Sequence, residues 1–200
     1  MIPILLAAGR STRFEGGHKL LAPLTVDGRS MPVVAHAAAA LRDAFDARPL
    51  VVLGARADEM RAALGPSHRF VANDAHADGM GTSLAAAARA IATDGAAGPV
   101  LIAMGDMPLV NAATILAVVA ALGPQPDAVA RAVTAGTPTP RPGHPVALAS
   151  AWLRRMARLD GDEGLGSVLR GVPVVRVPVD PRTQIDVDTR AALARAAASG

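Results

Sequence analysis

The sequence contains no cysteine, and aromatic residues make up only 2% of it. Without cysteine there is no disulfide, no zinc ribbon and no thiol nucleophile, which fits a reducing compartment. The scarcity of aromatic side chains removes the stacking platforms on which proteins hold unpaired bases. We therefore expect no binding of single-stranded nucleic acid.

Charge and hydropathy exclude two further classes of protein. The net charge is +3, from 20 Lys and Arg against 17 Asp and Glu, without a long run of basic residues. Duplex nucleic acid is therefore not an expected partner. The longest alanine-rich segment, residues 33–41, contains His36 and is too short to span a membrane. Because the N-terminus also lacks the charged region of a signal peptide, we expect a cytoplasmic protein.

Hydrophobic residues are abundant, at 51% of a chain of 200 residues, which is enough for one buried core. Short β-type runs alternate with longer helical segments. This alternation predicts an α/β fold of three layers, in which a mostly parallel, Rossmann-like sheet carries helices on both faces. Neither a linker nor a repeat divides the chain, so we expect a single domain over residues 1–200.

The predicted elements follow from periodicity and from turn residues. Ser30 is a candidate N-cap for the first helix, Asn111 for the fourth, and Asp188 or Thr189 for the last. The predicted strands span residues 2–6, 50–53, 69–72, 99–104, 128–133, 146–148, 172–179 and 183–187. The predicted helices span residues 32–45, 57–64, 81–92, 112–122, 150–159 and 189–198.

The first predicted strand runs into a loop of small and basic residues, from Gly9 through Arg10, Ser11 and Arg13 to Lys19. Phosphates need close backbone approach and cations within reach, and the carboxyl end of a buried strand is where α/β sheets bind them. The loop is not a P-loop, because leucine follows the lysine, and it lacks the dinucleotide fingerprint. A flexible surface loop would explain the glycine and the serine but not the cations.

Two acidic segments are candidate metal ligands. Asp106 follows a fully apolar strand, and Pro108 keeps the next residue out of the helical region. A carboxylate beside a phosphate suits Mg²⁺, although Asp106 would also serve as a cap. Asp186 and Asp188 lie on the last predicted strand, where alternation would put both on one face. One of them would complete the metal site.

Two further segments carry polar groups with two possible interpretations each. Gly79, Thr82 and Ser83 stand where a helix begins, and they either cap it or contact an anion and a base. His144 is held between Gly143 and Pro145, as a structural or a catalytic side chain. The remaining histidines have no metal-ligand spacing, and no nucleophile elbow is present.

Together these residues resemble the MobA-like nucleotidyltransferases, and most of all the branch that transfers cytidylyl groups to the molybdenum cofactor. The resemblance covers nearly the whole chain. Ala8 favours CTP over GTP, since guanylyl-transferring relatives tend to carry a second glycine there. Phe14 replaces a usual Met, and Leu-Gly-Ser at 165–167 replaces a usual Ala-Arg. The matching motifs are residues 6–9, 19–21, 79–84, 105–108, 143–146, 161–164 and 186–189, with Ser11, Arg13 and Asn73.

The resemblance implies the fold of the nucleotide-diphospho-sugar transferase type and a Mg²⁺-dependent reaction. CMP would pass from CTP to the phosphate of molybdopterin, with release of pyrophosphate. Arg13, Lys19 and Asp106 would be catalytic, Asp106 would bind metal with Asp186 or Asp188, and Gly143, His144 and Asp162 would bind the acceptor. The implied nucleotide-binding residues are Leu6, Ala7, Ala8, Gly9, Arg10, Ser11, Lys19, Asn73, Gly79, Thr82 and Ser83.

Two alternatives remain at this point. In the first, the acceptor is a sugar phosphate or another phosphorylated alcohol, since related enzymes that act on such substrates share the first loop and the Asp106 motif. Or the chain would bind a nucleotide or cofactor without turnover and deliver it to a molybdenum-containing oxidoreductase, the partner that the resemblance implies.

Overall fold

A seven-stranded sheet forms the centre of the computed structural model, which describes residues 1–136 and 138–200. Its strand order is β5-β4-β1-β6-β8-β7-β9, and β2 and β3 pair separately as a hairpin. The strands are β1 (Ile2–Ala7), β2 (Pro23–Val26), β3 (Arg29–Pro32), β4 (Leu50–Leu53), β5 (Arg69–Ala72), β6 (Val100–Met104), β7 (Val129–Thr134), β8 (Pro142–Leu148) and β9 (Val175–Val179).

Helices follow most of the strands, and several begin or end at the predicted residues. The Asn111 side chain accepts from the Thr114 amide, and the Thr189 side chain accepts from the Ala192 amide. The helices are α1 (Val33–Ala44), α2 (Ala57–Leu64), α3 (Met80–Thr93), α4 (Ala112–Ala120), α5 (Trp152–Met156), α6 (Leu165–Val168) and α7 (Arg190–Ser199), with 3-10 helices at Lys19–Leu21 and Pro181–Gln184. Among the described residues, none of these helices has the length and hydropathy to cross a membrane.

The sheet is mostly parallel, which confirms the predicted fold class. Strand β1 pairs in parallel with β4 and β6, and Leu6 is the register partner of both Val52 and Met104. Strand β8 runs antiparallel between β6 and β7. Parallel neighbours end at the same edge of a sheet. The loops that follow β1, β4, β5 and β6 therefore meet at one edge.

Both faces of the sheet are buried, as residues of β1 show. Leu5 and Ala7 lie in one apolar cluster with residues of α1, α2 and α4, while Ile4 and Leu6 lie in a second cluster with residues of α3 and α5. Alternation along the strand sends successive side chains to opposite faces, so helices must cover both. The result is the three-layer arrangement that the sequence predicts.

The predicted strand over residues 183–187 is wrong. Pro181–Gln184 form a 3-10 helix, whose start is capped because the Asp180 carboxylate accepts from the Arg182 amide. The residues after it are irregular, and the Val187 amide donates to the Asp106 carbonyl instead of to a strand. The β-type composition of this segment was outweighed by the Asp-Pro turn before it. Asp186 and Asp188 therefore do not share a strand face.

A hairpin absent from the predicted elements occupies the segment before α1. Asp27 and Gly28 both have positive φ, at 50° and 73°, as the two-residue turn of a β-hairpin requires. Ser30 belongs to β3 and does not cap α1, which begins after Pro32 without a side-chain cap. The predicted strand 172–179 is shortened to β9, and the predicted helix 150–159 to α5.

Core packing at the centre of the sheet predicts a large difference between two leucines. Leu101 on β6 is fully buried, whereas Leu116 on α4 is 47% exposed. We expect Leu101→Ala to lower the free energy of unfolding by about 2–5 kcal/mol, because truncation leaves a cavity. Leu116→Ala is the matched control and should change it by less than about 0.5 kcal/mol. Urea unfolding followed by the fluorescence of the buried Trp152 measures both, and equal effects would contradict the described core.

Candidate active site

The loop after β1 is exposed except at two anchors. Phe14 and His18 are buried, whereas Gly9, Arg10 and most of their neighbours are open to solvent. Ser11 adopts a left-handed conformation with φ of 56°, and its hydroxyl accepts from the Lys19 amide at 3.2 Å. This bond joins the beginning of the loop to the 3-10 helix at its end.

Lys19, the single lysine of the sequence, joins three distant parts of the chain. Its ammonium donates to the Asp106 carboxylate and, at 2.6 Å, to Oδ1 of Asp188. The other oxygen of Asp188 pairs with Nη2 of Arg13 at 2.7 Å. The Lys19 side chain is only 11% exposed, and that of Arg13 is 74% exposed. The cluster therefore has a sheltered ammonium and an outer guanidinium that faces solvent.

Attraction between opposite charges keeps Lys19 and Asp188 ionised. Burial alone would lower the pKa of Lys19, but the charges and hydrogen bonds of Asp106 and Asp188 outweigh it and raise that pKa. Burial alone would raise the pKa of Asp188, but Lys19 and then Arg13 outweigh it and lower that pKa. The ammonium and the carboxylate that it contacts therefore stay charged near neutral pH.

The donor set of this cluster fits a hard divalent cation. Oxygens of Asp106 and Asp188 converge on one cationic point, which the Lys19 ammonium holds. Two carboxylates completed by substrate phosphates are the usual environment of Mg²⁺. Asp186 is exposed and is not in contact with Lys19. Over residues 1–136 and 138–200, no group of three or more His, Asp or Glu side chains is arranged to hold a metal.

A cavity of about 440 Å³ lies beside this cluster, between the first loop and the start of α3. A smaller cavity of about 190 Å³ adjoins it, lined by Ser11, Arg13 and Asp188. Ala7 instead packs in the core at 1% exposure, so its side chain reaches neither of these two cavities. The predicted nucleotide-binding residues that line the larger cavity are Leu6, Ala8, Gly9, Arg10, Lys19, Gly79 and Ser83.

Asn73 and Thr82 bond to each other rather than facing the larger cavity. The Asn73 amide donates to the hydroxyls of Thr82 and Ser83 at 2.9 and 3.0 Å, and its oxygen accepts from the Ala75 amide. The single hydroxyl hydrogen of Thr82 lies within reach of two backbone carbonyls, those of Ala75 and Gly79. These polar atoms thus hold the turn between β5 and α3, and Ser83 alone of the three also lines the cavity.

Gly79 and Gly81 allow another turn to pack against the start of α3. The Gly81 amide donates to the Gly161 carbonyl at 2.9 Å, and a Cβ at Gly81 would lie 2.5 Å from the Asp160 carbonyl oxygen. Gly79 has a φ of 134°, which side chains rarely allow. This packing places Asp162 at the wall of the larger cavity.

A second cavity of about 440 Å³ lies under β8 and adjoins the cluster at Met107. Gly143, His144, Arg141 and Asp186 line it. The structure therefore separates the residues predicted to bind the acceptor, because Asp162 lines the larger cavity between the first loop and the start of α3. The division follows from the turn at 160–162, which packs on α3 and not on β8.

His144 is fixed by its backbone and neutral in its side chain. Gln184 accepts from the His144 amide at 3.0 Å and donates to its carbonyl at 2.8 Å. Burial, with a smaller contribution from the Arg131 charge, lowers the pKa of His144 to about 4. In the described part of the chain its buried Nε2 has no hydrogen-bond partner. A neutral ring with this pKa does not supply protons at pH 7.

Four residues of the candidate site were not assigned from the sequence. His18 holds the first loop, His76 lines the larger cavity, and Arg141 and Gln184 shape the second cavity. His18 stands directly before Lys19, and Arg141 stands two residues before Gly143 of the Gly-His-Pro motif, so proximity to known motifs was the available signal. Nothing in the sequence near Gln184 indicates its contact with His144, 40 positions away.

The class of protein that the comparisons support for this fold is a nucleotidyltransferase. The profile of the MobA-like NTP transferase domain matches residues 3–178. The chain belongs to this family.

Relatives with known structures or curated descriptions are similar over different shares of the chain. A homologue of Rv0371c from Mycobacterium sp. strain JC1 is 28% identical with a TM-score of 0.80, covering 99% of this chain and 95% of that one. Rv0371c of Mycobacterium tuberculosis H37Rv, solved in complex with manganese, is 27% identical with a TM-score of 0.75, covering 100% and 98%. The bifunctional protein GlmU of Sphingopyxis alaskensis is 37% identical over 136 residues, 68% of this chain and 28% of GlmU. The chain thus spans about a quarter of the length of the GlmU proteins that it matches.

The open space around Gly9 allows the predicted nucleotide contact of the first loop to be tested by a substitution that leaves the protein folded. A Cβ at Gly9 would have no atom of the protein within 4 Å, so Gly9→Val should fold. Its branched side chain would occupy the space beside Arg10 and Lys19, and we expect nucleotide binding to be lost. Gly166→Val is the matched control, because its Cβ also meets nothing within 4 Å and it lies outside the cavities described above. Calorimetric titration with CTP measures both variants, and retained affinity in folded Gly9→Val would contradict the loop contact.

The neutral state of His144 predicts acid-sensitive stability. Its pKa in the folded protein lies below its ordinary value of 6.5, so protons bind more tightly to the unfolded chain. The neutral His144 ring therefore makes its full contribution to the free energy of unfolding above pH 6.5. This contribution, up to about 3 kcal/mol, is lost as the pH falls towards 4. We expect His144→Gln to flatten this part of the curve of unfolding free energy against pH. His76→Gln, at a partly exposed histidine, is the control, and an unchanged slope in His144→Gln would contradict the assignment.

Proposed function

We propose that this chain transfers CMP from CTP to a phosphorylated acceptor, molybdopterin, and releases pyrophosphate. The observation that carries the proposal is the position of the Lys19–Asp106–Asp188 cluster. Lys19 and Asp106 line one cavity, and the second cavity is lined by Met107 and Asp186, which stand next to Asp106 and close to Asp188 in the chain. One cavity is lined by the first loop, and the other by the segment around His144. A transferase that joins two substrates needs a charged centre between two binding sites.

The chemistry of the transfer suits this cluster. An oxygen of the acceptor's phosphate attacks the α-phosphorus of the nucleotide, a new P–O bond forms, and the bond from that phosphorus to the pyrophosphate oxygen breaks. A phosphate nucleophile is already ionised near neutral pH, so no strong base is needed. The side chains therefore act through position and charge. Lys19 and Arg13 would stabilise the charge on the triphosphate as pyrophosphate departs.

Asp106 and Asp188 are the residues that would hold Mg²⁺. When bound, the ion would neutralise phosphate charge and orient the reacting groups. Support comes from the convergence of both carboxylates on one cation in the structure and from the manganese complex of Rv0371c. Asp186 takes no part in this proposal, because it faces the second cavity.

On the acceptor side, the proposal assigns Arg141 to the acceptor's phosphate. The family's usual Ala-Arg after Gly164 is Leu-Gly-Ser in this chain, so a cation must come from elsewhere. Arg141 is exposed, lines the second cavity and has no ion-pair partner among the described residues. A guanidinium suits a phosphate because it donates two parallel hydrogen bonds.

A sugar phosphate is the second candidate acceptor. The observation that favours it is the 37% identity to GlmU over 136 residues, which exceeds the identity to the solved relatives. The same cluster and the same transfer would serve either acceptor, because both present a phosphate to the α-phosphorus. A matrix of the four nucleoside triphosphates against molybdopterin and a panel of sugar phosphates, read by pyrophosphate release, separates the two. No release with any pair would contradict the transferase proposal and favour a binding module.

Lys19 provides the sharpest test of the charged centre. We expect Lys19→Ala to reduce turnover by roughly 10²–10³-fold, as does the loss of one well-placed electrostatic donor in other enzymes. Arg176→Ala is the control, since Arg176 lies exposed on β9 at the edge of the sheet. Initial rates of pyrophosphate release with the best substrate pair measure the effect. Near-normal turnover in Lys19→Ala would end the assignment.

A further inference from the structure

His18 lines none of the three cavities described at the site, and it connects the two ends of the first loop through a hydrogen bond. Its Nε2 is 2.9 Å from the carbonyl oxygen of Gly9, nine positions earlier. A carbonyl only accepts, so Nε2 carries the hydrogen and Nδ1 does not. The residue is 7% exposed, and Nδ1 is buried without a partner in the described part of the chain. The ring therefore has one polar contact, and that contact is with the loop.

The surroundings of the ring favour this neutral form. Burial lowers the pKa of His18 most, the Gly9 carbonyl opposes this, and the charges of Arg56 and Lys19 lower the pKa further against a small opposing effect of Glu59. The imidazole is consequently a fixed donor near neutral pH. Its backbone is fixed as well, because the His18 carbonyl accepts from the Leu21 amide at 3.0 Å.

The contact decides which way the peptide group between Gly9 and Arg10 faces. This peptide is trans, because the cis peptide among the described residues is at His144–Pro145. In a planar trans peptide the C=O and N–H bonds point in opposite directions. With the Gly9 carbonyl turned to His18, the Arg10 N–H points away from the ring. That N–H donates to no protein acceptor among residues 1–136 and 138–200, and Gly9 and Arg10 both line the two cavities on the nucleotide side.

We propose that His18 is a positioning residue that turns the Gly9–Arg10 peptide so that its N–H faces the triphosphate of the bound nucleotide. Without this bond the peptide is free to rotate and to present its carbonyl oxygen to the phosphates, which repels them. His18 itself lines neither nucleotide-side cavity, so it acts through the backbone of Gly9. The inference deepens the proposed function and rests on its assignment of the first loop to a triphosphate.

Three variants at position 18 separate the hydrogen bond from the packing of the ring. His18→Gln places an amide N–H where the imidazole Nε2–H lies, and His18→Asn carries the same amide on a side chain one methylene shorter. His18→Leu fills space without a donor. The probe is inorganic tripolyphosphate with Mg²⁺, titrated by calorimetry, because it reports on the loop whatever base the nucleotide carries.

We expect His18→Leu and His18→Asn to bind tripolyphosphate about 10- to 100-fold more weakly than the wild type, because the Arg10 N–H would lose its hydrogen bond to a charged phosphate. His18→Gln should stay within about threefold of the wild type, because its amide restores the bond to the Gly9 carbonyl that holds this N–H in place. In steady-state assays KM for the nucleotide should rise by the same factor, with KM for the acceptor unchanged. A merely structural histidine would show neither the rescue nor this division.

The outcomes separate the two proposals. Equal affinities of the wild type and a folded His18→Leu protein overturn the role of His18 and leave the proposed function standing. A loss in His18→Gln as large as that in His18→Leu also overturns it. If His18→Leu does not fold, as judged by Trp152 fluorescence, the comparison of Gln with Asn decides by the same criterion. If the wild type binds no tripolyphosphate and releases no pyrophosphate, the proposed function fails, and this inference fails with it.

Discussion

The site depends on one pairing within the sheet, that of β1 with β6. Because these strands are parallel neighbours with Leu6 opposite Met104, both end at the same edge and at the same height. The first loop and Asp106 leave the sheet side by side for that reason. Val187 then bonds to the Asp106 backbone and brings Asp188 to the same place. A charged cluster whose two carboxylates lie 87 and 169 positions from Lys19 thus follows from strand register.

The antiparallel strand β8 gives this edge its second cavity. It lies between β6 and β7, so the residues at its beginning, including His144, face the region beyond Met107. The loops that line the larger cavity beside Lys19 come from the parallel half of the sheet. The two cavities therefore belong to two different halves of one sheet, and the Lys19 cluster stands where the halves meet. The proposed transfer needs room for two substrates, and this division of the sheet edge would provide it.

Local sequence patterns predict more of the fold than of the candidate site. Apolar strands and Gly-Pro stops determine most of the sheet, and Asn111 and Thr189 cap helices as their side chains predict. The strand predicted at 183–187 is wrong because the turn before these β-type residues keeps them from pairing with the sheet. The ion pair of Lys19 with Asp188 and the bond of Gln184 with His144 are long-range contacts, which a pattern of neighbours does not encode. The separation of Asp162 from His144 has the same origin, because packing between turns decides it.

The position of the Lys19 ammonium has a consequence for the order of events at the site. The mutual repulsion of the Asp106 and Asp188 carboxylates is offset by the monovalent cation that they share, so a divalent ion would have to displace the ammonium and would not simply add to the pair. The displaced ammonium needs another anion, and a triphosphate lying along the first loop would provide one. Metal and nucleotide would then be linked thermodynamically, each strengthening the other's binding by the same factor. The lysine would act as the counterion of whichever anion is present, the protein's own carboxylates at rest and the substrate during turnover.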